Sequence, residues 1–166
     1  LIHDADFFKR IAPIKTEVTT EMIEQAISIK AAIVDNDPKE QGERKKLNFG
    51  HTVGHAIEGL CTQHSIDVTH GSCVAWGMIV EAKLSTTKTT LTNEEYEQIR
   101  SILLDNYGKV PLADSSIGDL VDLMKQDKKN DSDLINCTLL NRIGESSIDG
   151  QISVAEMKTA LNELFL

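Results

Sequence analysis

Aromatic side chains are scarce in this sequence: four Phe, two Tyr and one Trp make up 4% of 166 residues. A core must therefore be assembled chiefly from Leu, Ile, Val and Ala. Cysteine is scarcer still. Cys61, Cys73 and Cys137 are far apart, odd in number and without a CxxC spacing. That argues against a disulfide framework and a thiolate zinc site, and for packed, reduced thiols in a cytoplasmic protein. No apolar run approaches the roughly 18 residues of a membrane span, and no signal-peptide pattern is read. The glycine-rich loops GxGxxG and GxxxxGKT are missing. Basic residues are outnumbered 17 to 26, a formal net charge of −9, so the surface as a whole repels nucleic acid and anionic lipid. No repeat, linker or second domain is visible, and the length suits one domain, 1–166, with one core. The opening at Leu1 rather than Met is read as a mark of processing or of a piece of something longer.

What is present is mostly helical patterning. "TEMIEQAISIKAAIV" (20–34) places Met22, Ile23, Ala26, Ile27, Ile29, Ile33 and Val34 at mostly three- and four-residue intervals, an amphipathic helix with Thr20 as N-cap. "DNDPKEQGER" breaks it, through Pro38 and Gly42. A second helix is expected over about 44–62. "GSCVAWGMIVEAKLS" is small and apolar nearly all round, as a buried helix is. Thr92 with Glu95 makes a capping box for the next helix, and Gly108 stands where a C-terminal glycine belongs. "SSIGDLVDLMKQDKK" is a further helix, capped near Ser115 or Ser116. "LINCTLL" and "SSI" read as a hairpin turning near 141–144, and Ser153 with Glu156 opens a last helix. The expected fold class is mainly α, with one small β hairpin.

The chemistry concentrates in "RKKLNFGHTVGHAIEGL" (44–60). His51 and His55 are four apart, one above the other on a helix, a spacing that can bind one metal ion. Thr52 stands where a HExxH peptidase has its glutamate, so that reaction is excluded. Two ordinary helix histidines are the plainer alternative. Arg44, Asn48, His51 and His55, at intervals of four, three and four, would form one polar stripe. Guanidinium, amide and imidazoles suit a phosphorylated, hydroxylated substrate, and Lys30 could add a cation. Lys45 and Lys46 read as a solvated helix start. Gly50 and Gly54, also four apart, leave a bare face that another backbone or a ligand can approach. His70, before Gly71 at the start of a small-residue helix, can lean into a cleft or be a capping-region bystander. Lys128 or Lys129, in "KQDKKND", either complements a helix dipole or reaches an anion. His3 and His64 have no arguable partner.

These blocks resemble a known family. "ERKKLNFGHTVGHAIE" is similar to the 3-dehydroquinate synthase signature, close to R-x-x-L-N-F-G-H-T-x-G-H-A-I-E. "HGSCVAWGM" resembles that family's second block, "DKKN" with the following strand a third, and "SIKAAIVDNDPKEQGER" the run-in to the first. The resemblance covers nearly the whole chain in order. It implies the C-terminal, mainly helical domain of a two-domain enzyme whose N-terminal domain, not present here, binds NAD. The implied enzyme is a carbon-oxygen lyase of the shikimate pathway and aromatic amino acid biosynthesis. It converts 3-deoxy-D-arabino-heptulosonate 7-phosphate to 3-dehydroquinate, by transient oxidation, phosphate elimination, reduction and an aldol closure. By position, the resemblance makes His51 and His70 ligands of Zn2+ (or Co2+), and His55 a substrate-contacting catalytic residue rather than a ligand. Lys30, Arg44, Asn48 and Lys128 become substrate-binding groups, with Arg44 also catalytic. The full enzyme is implied to be a homodimer.

Departures accompany the likeness. The family's third metal ligand, a glutamate, comes from upstream, and Glu17, Glu21 and Glu24 are not in its context; Ser72 replaces the usual glutamate after His-Gly. The fragment is therefore expected to be inactive alone and to bind zinc weakly. Other sugar-phosphate cyclases, iron-type alcohol or glycerol dehydrogenases, and a non-catalytic metal- or partner-binding helical module are the competing readings. All of this requires that the rings of His51 and His70 converge beside Arg44 and Asn48.

Overall fold

The computed structural model describes residues 1–12, 18–126 and 134–166. Helices dominate, with one antiparallel β hairpin, as the patterning implies. In chain order they are α1 (Ala5–Ile11), α2 (Thr20–Asn36), a 3₁₀ turn (Glu43–Asn48), α3 (His51–Gln63), α4 (His70–Lys88), α5 (Asn93–Tyr107), α6 (Ile117–Gln126), β1 (Leu134–Arg142), β2 (Glu145–Ser153) and α7 (Val154–Leu161).

Local chemistry sets most of the boundaries. Both capping boxes form, Thr92 with Glu95 before α5 and Ser153 with Glu156 before α7. Gly108 ends α5 at φ +68°. The N-cap of α2 is Thr19 rather than Thr20: its hydroxyl accepts from the Met22 amide, and Thr20 is already helical. A short 3₁₀ turn, Asp114–Ser116, precedes α6 where a Ser cap was expected. α1, which the periodicity did not announce, is capped by Asp4, whose carboxylate accepts from the Phe7 amide.

The central layer is the antiparallel pair α3–α4. Three glycines let the two backbones touch. A Cβ on Gly77 would lie 2.0 Å from the Gly50 carbonyl oxygen, and one on Gly54 would lie 2.9 Å from the Val74 Cα. The approaching partner of the bare face is thus another helix. α4 is apolar around its circumference because it is enclosed: Cys73, Ile79, Val80 and Ala82 are fully buried. Ile57 and Cys61 of α3, Ile99 of α5, Leu120 of α6, Ile135 and Leu140 of β1, and Met157 of α7 complete the core around it. Burial raises the Cys73 thiol to about 11, and all three cysteines are free and buried, in keeping with packing roles.

The hairpin pairs Ile135 with Ile152 and Cys137 with Gly150, then shifts register before Leu139 pairs with Ser147. The Thr52 hydroxyl donates to the Asn136 carbonyl, and the Thr138 hydroxyl to the Lys45 carbonyl. These two bonds fasten β1 to the segment that carries Arg44, Asn48 and His51. No helix among the described residues is long and apolar enough to cross a membrane.

Candidate functional site

The close α3–α4 contact brings the histidines together. Because the helices run antiparallel, with Gly77 against Gly50 and Val74 against Gly54, the first residue of α4, His70, falls opposite Glu58, and its ring meets those of His51 and His55 from the other helix. The ring centroids of His51 and His70 are 5.6 Å apart, of His51 and His55 5.5 Å, and of His55 and His70 5.7 Å. His51 Nδ1 is 3.3 Å from the Phe49 carbonyl oxygen, and His70 Nδ1 is 3.0 Å from Glu58 Oε2. A carbonyl or carboxylate oxygen only accepts, so Nδ1 carries the proton in both rings and Nε2 is the free donor atom. Burial, chiefly, and then the neighbouring His55 and His70 hold the His51 pKa below its ordinary value, against the opposing Phe49 bond. The same burial disfavours the protonated ring, and a metal ligand must be unprotonated at the coordinating nitrogen.

One continuous helix does not carry this set. The expected helix over 44–62 breaks at Phe49–Gly50, where Gly50 takes φ +82°. A Cβ there would also meet the Val74 carbonyl oxygen at 2.7 Å. Arg44 and Asn48 therefore project from the 3₁₀ turn, and His51 and His55 from α3. The break is stabilised from α4 by Glu81, a fully buried carboxyl whose Oε2 accepts from the Gly50 amide at 2.7 Å. Burial pushes the Glu81 pKa up to about 8, opposed by the amides of Gly50, Val53 and Thr52.

Although the expected stripe is interrupted, its members still meet. Lys30, Arg44, Asn48 and His51 line one cavity of about 310 Å³ together with Glu40. Glu40 ties the polar groups: Asn48 Nδ2 donates to its Oε1 at 2.8 Å, and Arg44 Nε lies 4.0 Å from its Oε2. The Arg44 guanidinium also donates to the Pro38 carbonyl. Asp37 organises the preceding loop by accepting from the amides of Gln41, Gly42 and Arg44, and those bonds hold its carboxyl below the usual range. A second cavity of about 540 Å³ shares Glu40 and Asn48 and is walled by Thr52, Asn136 and Thr138.

Other expected residues fall elsewhere. Lys128, Lys129 and Glu17 lie outside the described residues. Glu21 and Glu24 are exposed on α2. Lys45 is paired with Asp149 at 3.0 Å and Lys46 with Glu43 at 2.7 Å, so the two are more than a solvated helix start. Among the described residues, no group of three or more His, Cys, Asp and Glu side chains forms a complete metal site. Glu40, Glu58 and Glu81 were not singled out from the sequence. Glu58 alone carried a usable signal, being one helical turn beyond His55.

The fold and its solved neighbours first define a class, that of the sugar-phosphate cyclases. A solved 2-deoxy-scyllo-inosose synthase, complexed with carbaglucose-6-phosphate, NAD+ and Co2+, superposes with a TM-score of 0.72 at 26% identity, over 86% of this chain and 41% of that one. A 2-epi-5-epi-valiolone synthase from Streptomyces hygroscopicus subsp. jinggangensis 5008, with NAD+ and Zn2+ bound, shares the fold with a TM-score of 0.76 at 18% identity, over 99% of this chain and 48% of that one.

Within that class the sequence is more specific. Residues 1–130 match the 3-dehydroquinate synthase C-terminal family, and the chain belongs to it. The 3-dehydroquinate synthase of Parabacteroides distasonis is 35% identical over 85% of this chain, and that of Streptococcus pyogenes serotype M6 is 39% identical over 78%. The 3-dehydroquinate synthase of Thermodesulfovibrio yellowstonii is 35% identical over 98%. The chain spans 40%, 37% and 47% of the lengths of these relatives.

Proposed function

We propose that this chain is the metal- and substrate-binding part of a phosphate-eliminating cyclase acting on 3-deoxy-D-arabino-heptulosonate 7-phosphate. It works with an NAD-binding domain in a cytoplasmic, homodimeric enzyme of the shikimate pathway. The observation that carries the reading is the approach of His51 and His70 to 5.6 Å beside a cavity lined by Lys30, Arg44 and Asn48.

The donor set fits a divalent ion such as Zn2+ or Co2+. Two imidazoles, each with Nδ1 engaged by an oxygen and Nε2 left to coordinate, are ligands these ions take readily. A third ligand is left to come from outside this chain. When bound, such an ion would supply Lewis-acid polarisation of a hydroxyl, and NAD held by a companion domain would supply hydride-transfer chemistry. The chain's own residues do the rest. Lys30 and Arg44 neutralise the substrate's phosphate and carboxylate, Arg44 through a planar fork. Asn48 hydrogen-bonds a hydroxyl. His55, exposed and in ring contact with both other histidines, moves a proton at an imidazole nitrogen. Lys128 joins the phosphate-binding group.

Similarity to a 2-deoxy-scyllo-inosose synthase supports a second reading, a cyclase acting on another sugar phosphate. The discriminating experiment supplies the protein, as its full reading frame encodes it, with NAD+ and Zn2+. It is then given the heptulosonate phosphate, glucose 6-phosphate, glycerol or ethanol. Phosphate release from the heptulosonate phosphate alone is expected. Release only from the hexose phosphate establishes the second reading, and turnover of glycerol or ethanol contradicts both.

A further inference from the structure

We propose that Glu58 is the positioning residue of His70. Its carboxylate fixes the ring's tautomer and orientation so that Nε2 is presented as a metal donor. The inference rests on the reading of His70 as a ligand.

The two residues come from different helices. Glu58 sits one turn beyond His55 on α3, and His70 is the first residue of α4. Glu58 Oε2 lies 3.0 Å from His70 Nδ1, within the range of a well-formed N–H···O bond. Neither side chain has another hydrogen-bond partner among the described residues, so Glu58 has no competing duty there such as capping. The pair is open to solvent, with side-chain exposures of 38% for Glu58 and 52% for His70. Packing alone therefore does not lock a ring at the very start of a helix. A hydrogen bond from Nδ1 is what distinguishes one rotamer and one tautomer from the alternatives. His51 has the same arrangement by a different route, its Nδ1 resting on the Phe49 carbonyl. Each of the two expected ligands thus has an oxygen acceptor behind it, while His55 has none among the described residues. A carboxylate behind an imidazole also raises its basicity toward a metal, and loss of such partners typically weakens metal binding by about 10- to 100-fold.

The test uses Glu58→Ala and Glu58→Gln in the full encoded protein, each also made with His70→Ala. Helical circular dichroism serves as the check on folding. The first readout needs no metal: ¹⁵N chemical shifts of the His70 ring near pH 8. The wild type is expected to show one form, protonated at Nδ1, and Glu58→Ala a mixture. Glu58→Gln, which can still accept but carries no charge, keeps the Nδ1–H form in part. The second readout is Co2+ affinity by titration. Glu58→Ala is expected to weaken it by about 10- to 100-fold, Glu58→Gln by less, and neither to weaken it further once His70 is Ala. Wild-type tautomer and affinity in Glu58→Ala would overturn the proposal. So would an equal loss of affinity with and without His70, which would make Glu58 a ligand or a general electrostatic contributor. If His70→Ala alone leaves Co2+ affinity unchanged, the ligand reading fails instead, and the two failures are told apart.

Discussion

Glu81 is a carboxyl group placed where water cannot reach it, and its neighbours explain why it is kept there. Gly50, at positive φ, leaves its amide pointing inward, and Glu81 Oε2 receives it at 2.7 Å. The other oxygen has no hydrogen-bond partner among the described residues, as suits a carboxyl held neutral. With the folded pKa raised from 4.5 to about 8, the native state holds this proton more tightly than the unfolded chain. Below the unfolded value both states are protonated, and the group contributes no slope. Between the two values the unfolded state ionises first. Stability then falls as pH rises, by about 1.4 kcal/mol per pH unit from this group. Chemical denaturation from pH 5 to 8 should show that decline in the wild type and lose it in Glu81→Gln, which mimics the neutral acid. Equal slopes would place the charge elsewhere.

The next scale is the helix pair. Gly50, Gly54 and Gly77 have no side chain to pack, yet they decide how near His51 comes to His70. Adding one methyl at Gly77 puts a carbon 2.0 Å from a backbone oxygen that cannot rotate away. Gly77→Ala should cost at least about 1–3 kcal/mol, as overpacking does, and weaken Co2+ binding as the helices part. Gly71→Ala, where a Cβ meets nothing within 4 Å, is the control and should change neither. Much of this was legible in the sequence, and the reasons are local. Capping boxes at 92–95 and 153–156 satisfy helix ends within four residues, so pattern alone finds them. The small-residue character of 71–85 announced a buried helix. What the sequence hid depends on distant partners. The break at Phe49–Gly50 requires Glu81, 31 residues on, and a run of helix-compatible residues gives no sign of it. Residue types allowed His70 to join the two histidines of the preceding helix, but it was family likeness that singled out His51 with His70; spacing favoured the pair four apart. α1 is seven residues long, too short for periodicity to register.

At the scale of the whole molecule, burial is unevenly distributed. α2 has the apolar pattern of a core helix, yet only Ile33 on it is buried, and Ile23 and Ile27 are 49% and 61% exposed. Its amphipathic pattern therefore predicts a helix correctly and overstates what that helix buries in this chain. Ile27→Ser should leave thermal stability within about 0.5 kcal/mol of the wild type, as surface changes do. Ile57→Ala, at a fully buried site, should cost about 2–5 kcal/mol. The asymmetry fits a chain that spans 37% to 47% of its relatives' lengths, with α2 carrying Lys30 to the rim of the cavity.

The most direct measurement is a Co2+ titration of this chain, followed by visible absorption, with His51→Ala, His70→Ala and His55→Ala alongside. One weakly bound equivalent is predicted, with affinity falling at least about tenfold, or 1.4 kcal/mol, in the first two variants and holding in the third. Binding that depends on His55 but on neither His51 nor His70, or that survives all three substitutions, would contradict the account.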